Sequence, residues 1–298
     1  LTSPPNTAHE LLKWFDTDLN NPEAPLKSIE VLISGAAPLV FEDADGLTQE
    51  VEGVTLNKVK VAAEAWFDRL DTDENNIGVF YFCGHGLGDG YTTQLLLSDY
   101  GKSAIALENA IHFNGFKLAM GTCRAKRQIY FVDACRSVDA TMLTDPNQKG
   151  SALLPSDVLK VFDGAAPAFF AAKQGEQAYG HPNGLSRFGM ALLDSLRKFG
   201  VSRHKGKKWK VSPQTLQVAM AAILQDPASD RPECTTEGIV GTGSNFTLHE
   251  LQGKPQVMLD VFLSVAEASD AAAITCSYNG KVSARPNGDH PWRAIVDE

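Results

Sequence analysis

The sequence lacks what several classes of protein require. No apolar run approaches the ~18 residues of a membrane-spanning helix, and no charged-then-apolar leader opens the chain. Positive charge is in deficit. The 27 Lys and Arg against 36 Asp and Glu leave a formal net charge of -9, whereas binding a nucleic-acid backbone needs clustered cations that release counterions. An acidic surface favours cationic substrates instead. Paired cysteines are missing too. Cys83, Cys123, Cys135, Cys234 and Cys276 are odd in number, scattered and without a C-x-x-C pair, so neither a disulfide framework nor a zinc or other metal site is indicated. These absences lead to the expectation of a cytoplasmic protein in a reducing compartment, with neither nucleic acid nor membrane as its main partner.

What is present is ordinary for a soluble globular protein: 298 residues, 43% hydrophobic and 21% charged, enough for about two domains. Thr7 to Leu19 puts Leu11, Leu12, Trp14, Phe15 and Leu19 on roughly one helical face, with Asn6 or Thr7 as cap. Ser28 to Ile33 reads as a short strand. The acidic Glu42 to Gly46 (EDADG) reads as a solvated loop; calcium activation through it is a second reading, although its spacing matches no full calcium loop. Thr55 caps a helix carrying Leu56, Val59, Ala62, Trp66 and Leu70 at the helical period.

An apolar strand then runs into a glycine-walled turn, Ile77 to Gly90 (IGVFYFCGHGLGDG). A small extension, Gln94 to Leu97, follows, and Ser103 to about Met120 reads as a helix interrupted by Gly115. Next come a strand at Gln128 to Asp133, a helix from Pro155 to Phe162 and a strand at Pro167 to Ala172. Helices at Ser186 to Lys198 and Ser212 to Leu224 close the alternating pattern. Strands alternating with helices predict an α/β fold with a mostly parallel central sheet over residues 1–225. Residues 226–245, rich in Pro, Gly, Thr and Ser, read as a linker. Residues 246–298 read as a small C-terminal all-β module, with strands at Phe246 to Leu251, Gln256 to Val265, Ala273 to Tyr278 and Lys281 to Ala284, the last two joined by an Asn279-Gly280 hairpin turn.

The chemistry-bearing residues lie at two strand ends. QIYFVDACRS, Gln128 to Ser137, repeats the design of the opening strand and ends on Cys135, 50 residues after His85. A cysteine hydrolase needs a thiolate, a base to generate it and donors for the oxyanion formed at the attacked carbonyl. A neighbouring imidazolium lowers a thiol's pKa, which gives His85 its chemistry. The flanking glycines admit close backbone approach, and the amides of Gly86 and Cys135 are candidate oxyanion donors. Taken singly, Cys135 reads as a small buried hydrophobe and His85 as a turn residue; their conjunction at matching positions favours the pair. A dinucleotide-binding turn is the competing reading of Gly84, Gly86, Gly88 and Gly90, but that fingerprint requires a helix to start at the turn, and Tyr91 to Leu97 looks extended.

At these residues the sequence resembles the caspase-like cysteine peptidases, especially their metacaspase and paracaspase branch. YFCGHG (Tyr81 to Gly86) is similar to the family's strand-plus-His motif and DACRS (Asp133 to Ser137) to its strand-plus-Cys motif. PAFFAAKQGEQAYG (Pro167 to Gly180) and GLSRFGMALLDSL extend the likeness to about residues 7–225. The resemblance implies a three-layer caspase-like fold, a His85 and Cys135 dyad without a cofactor, and an acyl-enzyme intermediate. It implies that Asp133 lines the P1 pocket, that Cys83 stands where the branch usually has a Ser in that pocket, and hence cleavage of protein or peptide substrates after Arg or Lys. It further implies a bacterial zymogen, activated by proteolysis or a regulatory partner, in a regulated or defence pathway.

The likeness departs at two points. Arg136 stands where the branch often has His, placed to offset Asp133 if it turned into the pocket. The family's first strand, ahead of a helix such as Thr7 to Leu19, is not seen: either the chain has been cut upstream or another segment supplies it. Lys149 and the basic run Arg197 to Lys210, with Lys205, Lys207, Lys208 and Lys210, read either as solvated loops or as processing sites. The alternative to an enzyme is a silent caspase-like scaffold that recruits partners through its β module.

Overall fold

The computed structural model describes residues 3–35, 39–42, 48–51, 53–105, 107–138, 149–156, 162–203, 208–224, 245–261, 273–278, 280–285 and 292–297. Helix α1 (Ser3–Thr17) begins earlier than its apolar period predicts. Pro4 and Pro5 fall in its first turn, where a missing N–H costs nothing. Thr7 is therefore not a cap but an interior residue, its hydroxyl donating to Ser3 O at 2.8 Å. Strands β1 (Leu39–Glu42) and β2 (Thr48–Val51) form a separate antiparallel pair; of the candidate calcium loop only Glu42, the end of β1, is among the described residues. Helix α2 (Leu56–Leu70) buries Val59, Ala63 and Leu70; Thr55 occupies the N-cap position but makes no side-chain capping bond.

Strand β3 (Ile77–Gly88) runs straight through the expected turn. Its glycines permit this. A Cβ at Gly86 would meet Cys135 O at 2.5 Å and one at Gly88 would meet Arg136 O at 2.6 Å, so only residues without side chains let the strand continue beside the 135–137 chain. Then follow β4 (Thr93–Leu96), β5 (Ala110–His112) and helix α3 (Phe113–Met120). The single helix expected over 103–120 is thus a strand and a short helix. Leu107, at φ 64, breaks the local backbone, and Ala110–His112 pairs antiparallel with β4.

Strands β6 (Arg127–Ala134) and β7 (Ala168–Phe170) complete a five-stranded sheet of order β5-β4-β3-β6-β7. Its heart is parallel: β3 pairs with β6 from Ile77↔Arg127 to Gly84↔Ala134, and β6 with β7. The helix expected from Pro155 to Phe162 falls largely outside the described residues. Helix α4 (Arg187–Asp194), capped by Ser186, continues as a π-helical turn, Ser195–Phe199. After β8 (Val201–Arg203) and β9 (Trp209–Val211), α5 (Pro213–Leu224) starts on Ser212, whose hydroxyl accepts from Thr215 N.

The sheet is covered on both faces, as a parallel sheet must be. Ile129 and Phe131 of β6 pack with Trp14, Phe188, Leu192 and Met220 on one side. Tyr130 and Val132 pack with Val59, Leu70, Phe113 and Phe116 on the other. The protein is therefore a mixed α/β structure around a mostly parallel central sheet.

Two expectations need correction. Ser28 to Ile33 forms no strand among the described residues beyond a single bridge at Leu32. And β10 (His249–Leu251) pairs with β9 while Phe246 and Leu248 enter the main core, so residues 246–251 belong to the body rather than to a terminal module. Short alternating strands do not reveal whose edge they will extend. Beyond them, β11 (Gln256–Val261) pairs with β14 (Trp292–Asp297), a strand the sequence reading missed, and β12 (Thr275–Tyr278) with β13 (Lys281–Ala284), across a turn that includes Gly280 at φ 77. Among the described residues no helix is long and apolar enough to cross a membrane.

Candidate active site

The register of β3 against β6 decides what meets what. Gly84 lies opposite Ala134 in a parallel ladder and a bridge at Leu87↔Ser137 keeps the same register, so His85 and Cys135, each one residue past Gly84 and Ala134, stand side by side. Neighbouring strands are ~4.8 Å apart. The period of two puts Tyr81, Cys83 and His85 on one face of β3, and Asp133 and Cys135 on the same face of β6. His85 is exposed and Cys135 half-buried. The Cys135 Sγ is engaged by the loop after β7: Ala178 N–H donates to it at 3.4 Å, and Ala178 O lies 3.8 Å away.

The Gly88 amide donates to Ser137 O at 3.0 Å. In a strand, amides two residues apart point the same way, so the Gly86 amide faces the Cys135 side rather than β4.

Below His85 and Cys135 sits a buried carboxylate. Asp133 is 4% exposed, and its Oδ2 accepts from Tyr81 Oη at 3.1 Å, from Cys83 Sγ at 3.3 Å and from Ser186 Oγ. Burial pushes the Asp133 pKa from 3.8 up to about 6, and the three hydrogen bonds pull against that shift. Burial, reinforced by the Asp133 charge, raises the Cys83 thiol far above its usual range. Ser186 also caps α4 by accepting from Gly189 N at 2.9 Å, while its own amide donates to Thr7 Oγ1 at 2.9 Å. One residue thus ties α4, through its hydroxyl, and α1, through its amide, to the carboxylate.

Each sequence-derived site residue, His85, Cys135, Gly86, Asp133 and Cys83, lies in this one region. Tyr81, Ser186 and Thr7 were missed. Tyr81 was findable, two positions before Cys83 on the same strand face; Ser186 and Thr7 are joined to Asp133 only by tertiary packing. Arg136 does not turn toward Asp133. It stacks on Phe170 at 4.1 Å, with Nε donating to Thr93 Oγ1 at 3.2 Å and Nη1 to Ala172 O at 3.4 Å, on the opposite face of the sheet. None of the four described cysteines forms a disulfide, and among the described residues no three His, Cys, Asp or Glu side chains gather into a cation site.

No known family profile matches the chain. It is 30% identical over 263 residues to the uncharacterized protein y4kE of Sinorhizobium fredii (strain NBRC 101917 / NGR234), an alignment covering 81% of this chain and 71% of that protein. The chain belongs to the same family as that protein.

Proposed function

We propose that the protein is a caspase-like cysteine endopeptidase that cleaves after Arg or Lys. The observation that carries this reading is the parallel register that sets His85, inside β3, beside Cys135, just past the end of β6, on one face of the sheet. His85 takes the Cys135 proton, the thiolate attacks the scissile carbonyl, and the amides of Gly86 and Cys135 receive the oxyanion. His85 then protonates the leaving amine, and water, deprotonated by His85, hydrolyses the thioester. Removing one such amide donor from an acyl-transfer site costs on the order of 100 to 1,000-fold in rate.

Basic specificity rests on Asp133, the buried carboxylate two residues before the nucleophile. A guanidinium arriving there gains charge-assisted hydrogen bonds in a low-dielectric site. The Ala178 backbone on Cys135 Sγ supports a zymogen in which the loop after β7 must shift before substrate enters, through proteolysis or a regulatory partner. The bacterial source of the relative supports a bacterial setting; a role in defence rests on the motif resemblance alone.

A second reading, a silent scaffold that recruits partners, is favoured by β13, whose four residues are all exposed. A peptidyl-Arg fluorogenic substrate separates the two, assayed with wild type, His85→Ala and Cys135→Ala before and after limited trypsin nicking. Release that depends on both residues supports the peptidase. Release independent of Cys135, or none in either state, supports the scaffold.

A further inference from the structure

Where the chain leaves α1 it is stitched to β10, 229 residues further on. The amides of Asp18 and Leu19 still reach back to Trp14 O, at 2.9 and 3.0 Å, but the Asn20 amide turns away from the helix and donates to His249 Nδ1 at 3.0 Å. Around that contact the bonds are dense. Glu250 N donates to Asn20 O at 2.7 Å, Asn20 Nδ2 to Glu250 O at 2.9 Å and Asn21 Nδ2 to Thr247 O at 3.0 Å. Strand β10 already pairs with β9, and residues 20–21 give it a second neighbour, as a strand at the edge of a sheet needs.

Of the groups that make these bonds, His249 is the one whose charge changes near neutral pH. It is 4% exposed, with its ring edge-on to Trp14 at 5.2 Å. A ring nitrogen that accepts an N–H must keep its lone pair, so the imidazole is neutral and carries its proton on Nε2. A hydrogen bond made to the neutral form disfavours the charged one. Protonation would set an N–H on Nδ1 against the N–H of Asn20, donor facing donor. Burial holds the His249 pKa below its usual 6.5, while the Asp18 and Glu250 carboxylates pull it upward. Both acids are already paired. Asp18 meets Arg197 of the π-helical turn at 3.4 Å, and Glu250 lies between Lys208 at 2.8 Å and Lys210 at 3.2 Å, Lys210 also facing Glu23 at 3.8 Å. An imidazolium formed here would have to leave Asn20 to find water.

We propose that His249 is the pin of a pH-sensitive clasp that holds residues 18–21 on β10 at neutral pH and releases them in mild acid. The folded chain resists the proton that the unfolded chain accepts, so the clasp contributes its full stability above the ordinary histidine value of 6.5 and loses it as pH falls below. Its position gives the release reach. Helix α1 carries the clasp at one end and Thr7 at the other, where Thr7 Oγ1 accepts from the Ser186 amide beside Asp133, so freeing the last turn removes a support of the helix that holds Ser186. The inference stands apart from the peptidase reading.

Hydrogen exchange resolved to single amides tests it, corrected for the intrinsic pH dependence of exchange. In the wild type, the Asn20 and Glu250 amides should lose ~10-fold in protection between about pH 7.5 and about pH 5, while the β6 amides keep theirs. His249→Gln offers an acceptor that does not titrate and should hold both amides level over the same range. Wild-type protection that does not change overturns the proposal. So does an equal loss in His249→Gln, which would assign the transition to another group. Magnetic resonance of the wild-type imidazole nitrogens gives a second reading that needs no variant: Nδ1 should be unprotonated at neutral pH and should titrate with the same midpoint as the loss at Asn20. A proton on Nδ1 at neutral pH, or a separate midpoint, overturns the clasp as well. Backbone protection and ring protonation are blind to whether His85 and Cys135 catalyse anything.

Discussion

Replacing Asp133 with Asn turns the buried carboxylate into a measurable quantity. In the folded protein the Asp133 pKa lies at about 6, against 3.8 for an ordinary aspartate, because burial outweighs the donors from Ser186, Cys83 and Tyr81. Below the unfolded value both states hold the proton and Asp133 costs nothing in charge. Between about 3.8 and about 6 the unfolded chain ionises while the folded one does not, so rising pH favours unfolding through this group. A shift of about 2 units corresponds to ~3 kcal/mol, nearly all of it lost by neutral pH. The substituted amide would still accept hydrogen bonds at its Oδ1 but would not titrate. Urea unfolding of wild type and Asp133→Asn between about pH 4 and pH 7 therefore gives a stability difference that moves against wild type by about 2–3 kcal/mol; other titrating groups cancel in the comparison. A difference independent of pH would refute the reasoning. One that moves in favour of wild type would show the three donors outweighing burial.

Three further outcomes are expected. Gly86→Ala puts a Cβ 2.5 Å from Cys135 O and 3.0 Å from Ala134 Cβ, an overpacking that costs ~1–3 kcal/mol; a melting temperature equal to wild type would show that the strands part freely. Ser186→Ala removes both the α4 cap and a donor to Asp133, worth ~1 kcal/mol for the cap and ~1.5–3 kcal/mol for the bond to a charged group; denaturant unfolding at neutral pH should read the sum, and a loss under ~0.5 kcal/mol would contradict the geometry. In timed alkylation near neutral pH, read by peptide mass, Cys135 should react well before Cys83, whose thiol is pushed far up by burial and by Asp133; early labelling of Cys83 would mean that the pocket opens.

The placing of His85 beside Cys135 was legible because it is local. A strand of side-chain period two ending in glycine or alanine and then a reactive residue occurs twice, and parallel register needs nothing more to bring His85 beside Cys135. The partners of Asp133 were legible only in part. Tyr81 follows from the same period, but Ser186 and Thr7 come from helices far away in sequence, and nothing in their neighbours announces a carboxylate. Length misled in both directions: β3 outran its expected turn because Gly86 and Gly88 present no side chain to Cys135 and Arg136, and the helix expected over 103–120 shrank because Ala110–His112 found a strand to pair with. The β10 strand joined the main body through β9, a choice of edge that composition cannot reveal.

Tyr81 connects the two regions that matter. Its side chain lines a cavity of about 790 Å³ beside the first half of β3, and its hydroxyl donates to Asp133 at 3.1 Å. The ring thus couples the packing around this cavity to one of the three donors that hold the carboxylate. Tyr81→Phe separates these roles, since it keeps the ring and removes only the donor. The variant should lose ~1–3 kcal/mol at neutral pH. Its stability should also begin to fall over a window that extends higher in pH than in wild type, because the hydrogen bond from Tyr81 lowers the Asp133 pKa. Exchange at the Ile77 to Gly84 amides should not change, because the ring still fills its place. A shift in that exchange would mean that the hydroxyl, not the ring, orders this part of β3; an unshifted pH window would mean that Asp133 is held by Ser186 and Cys83 alone.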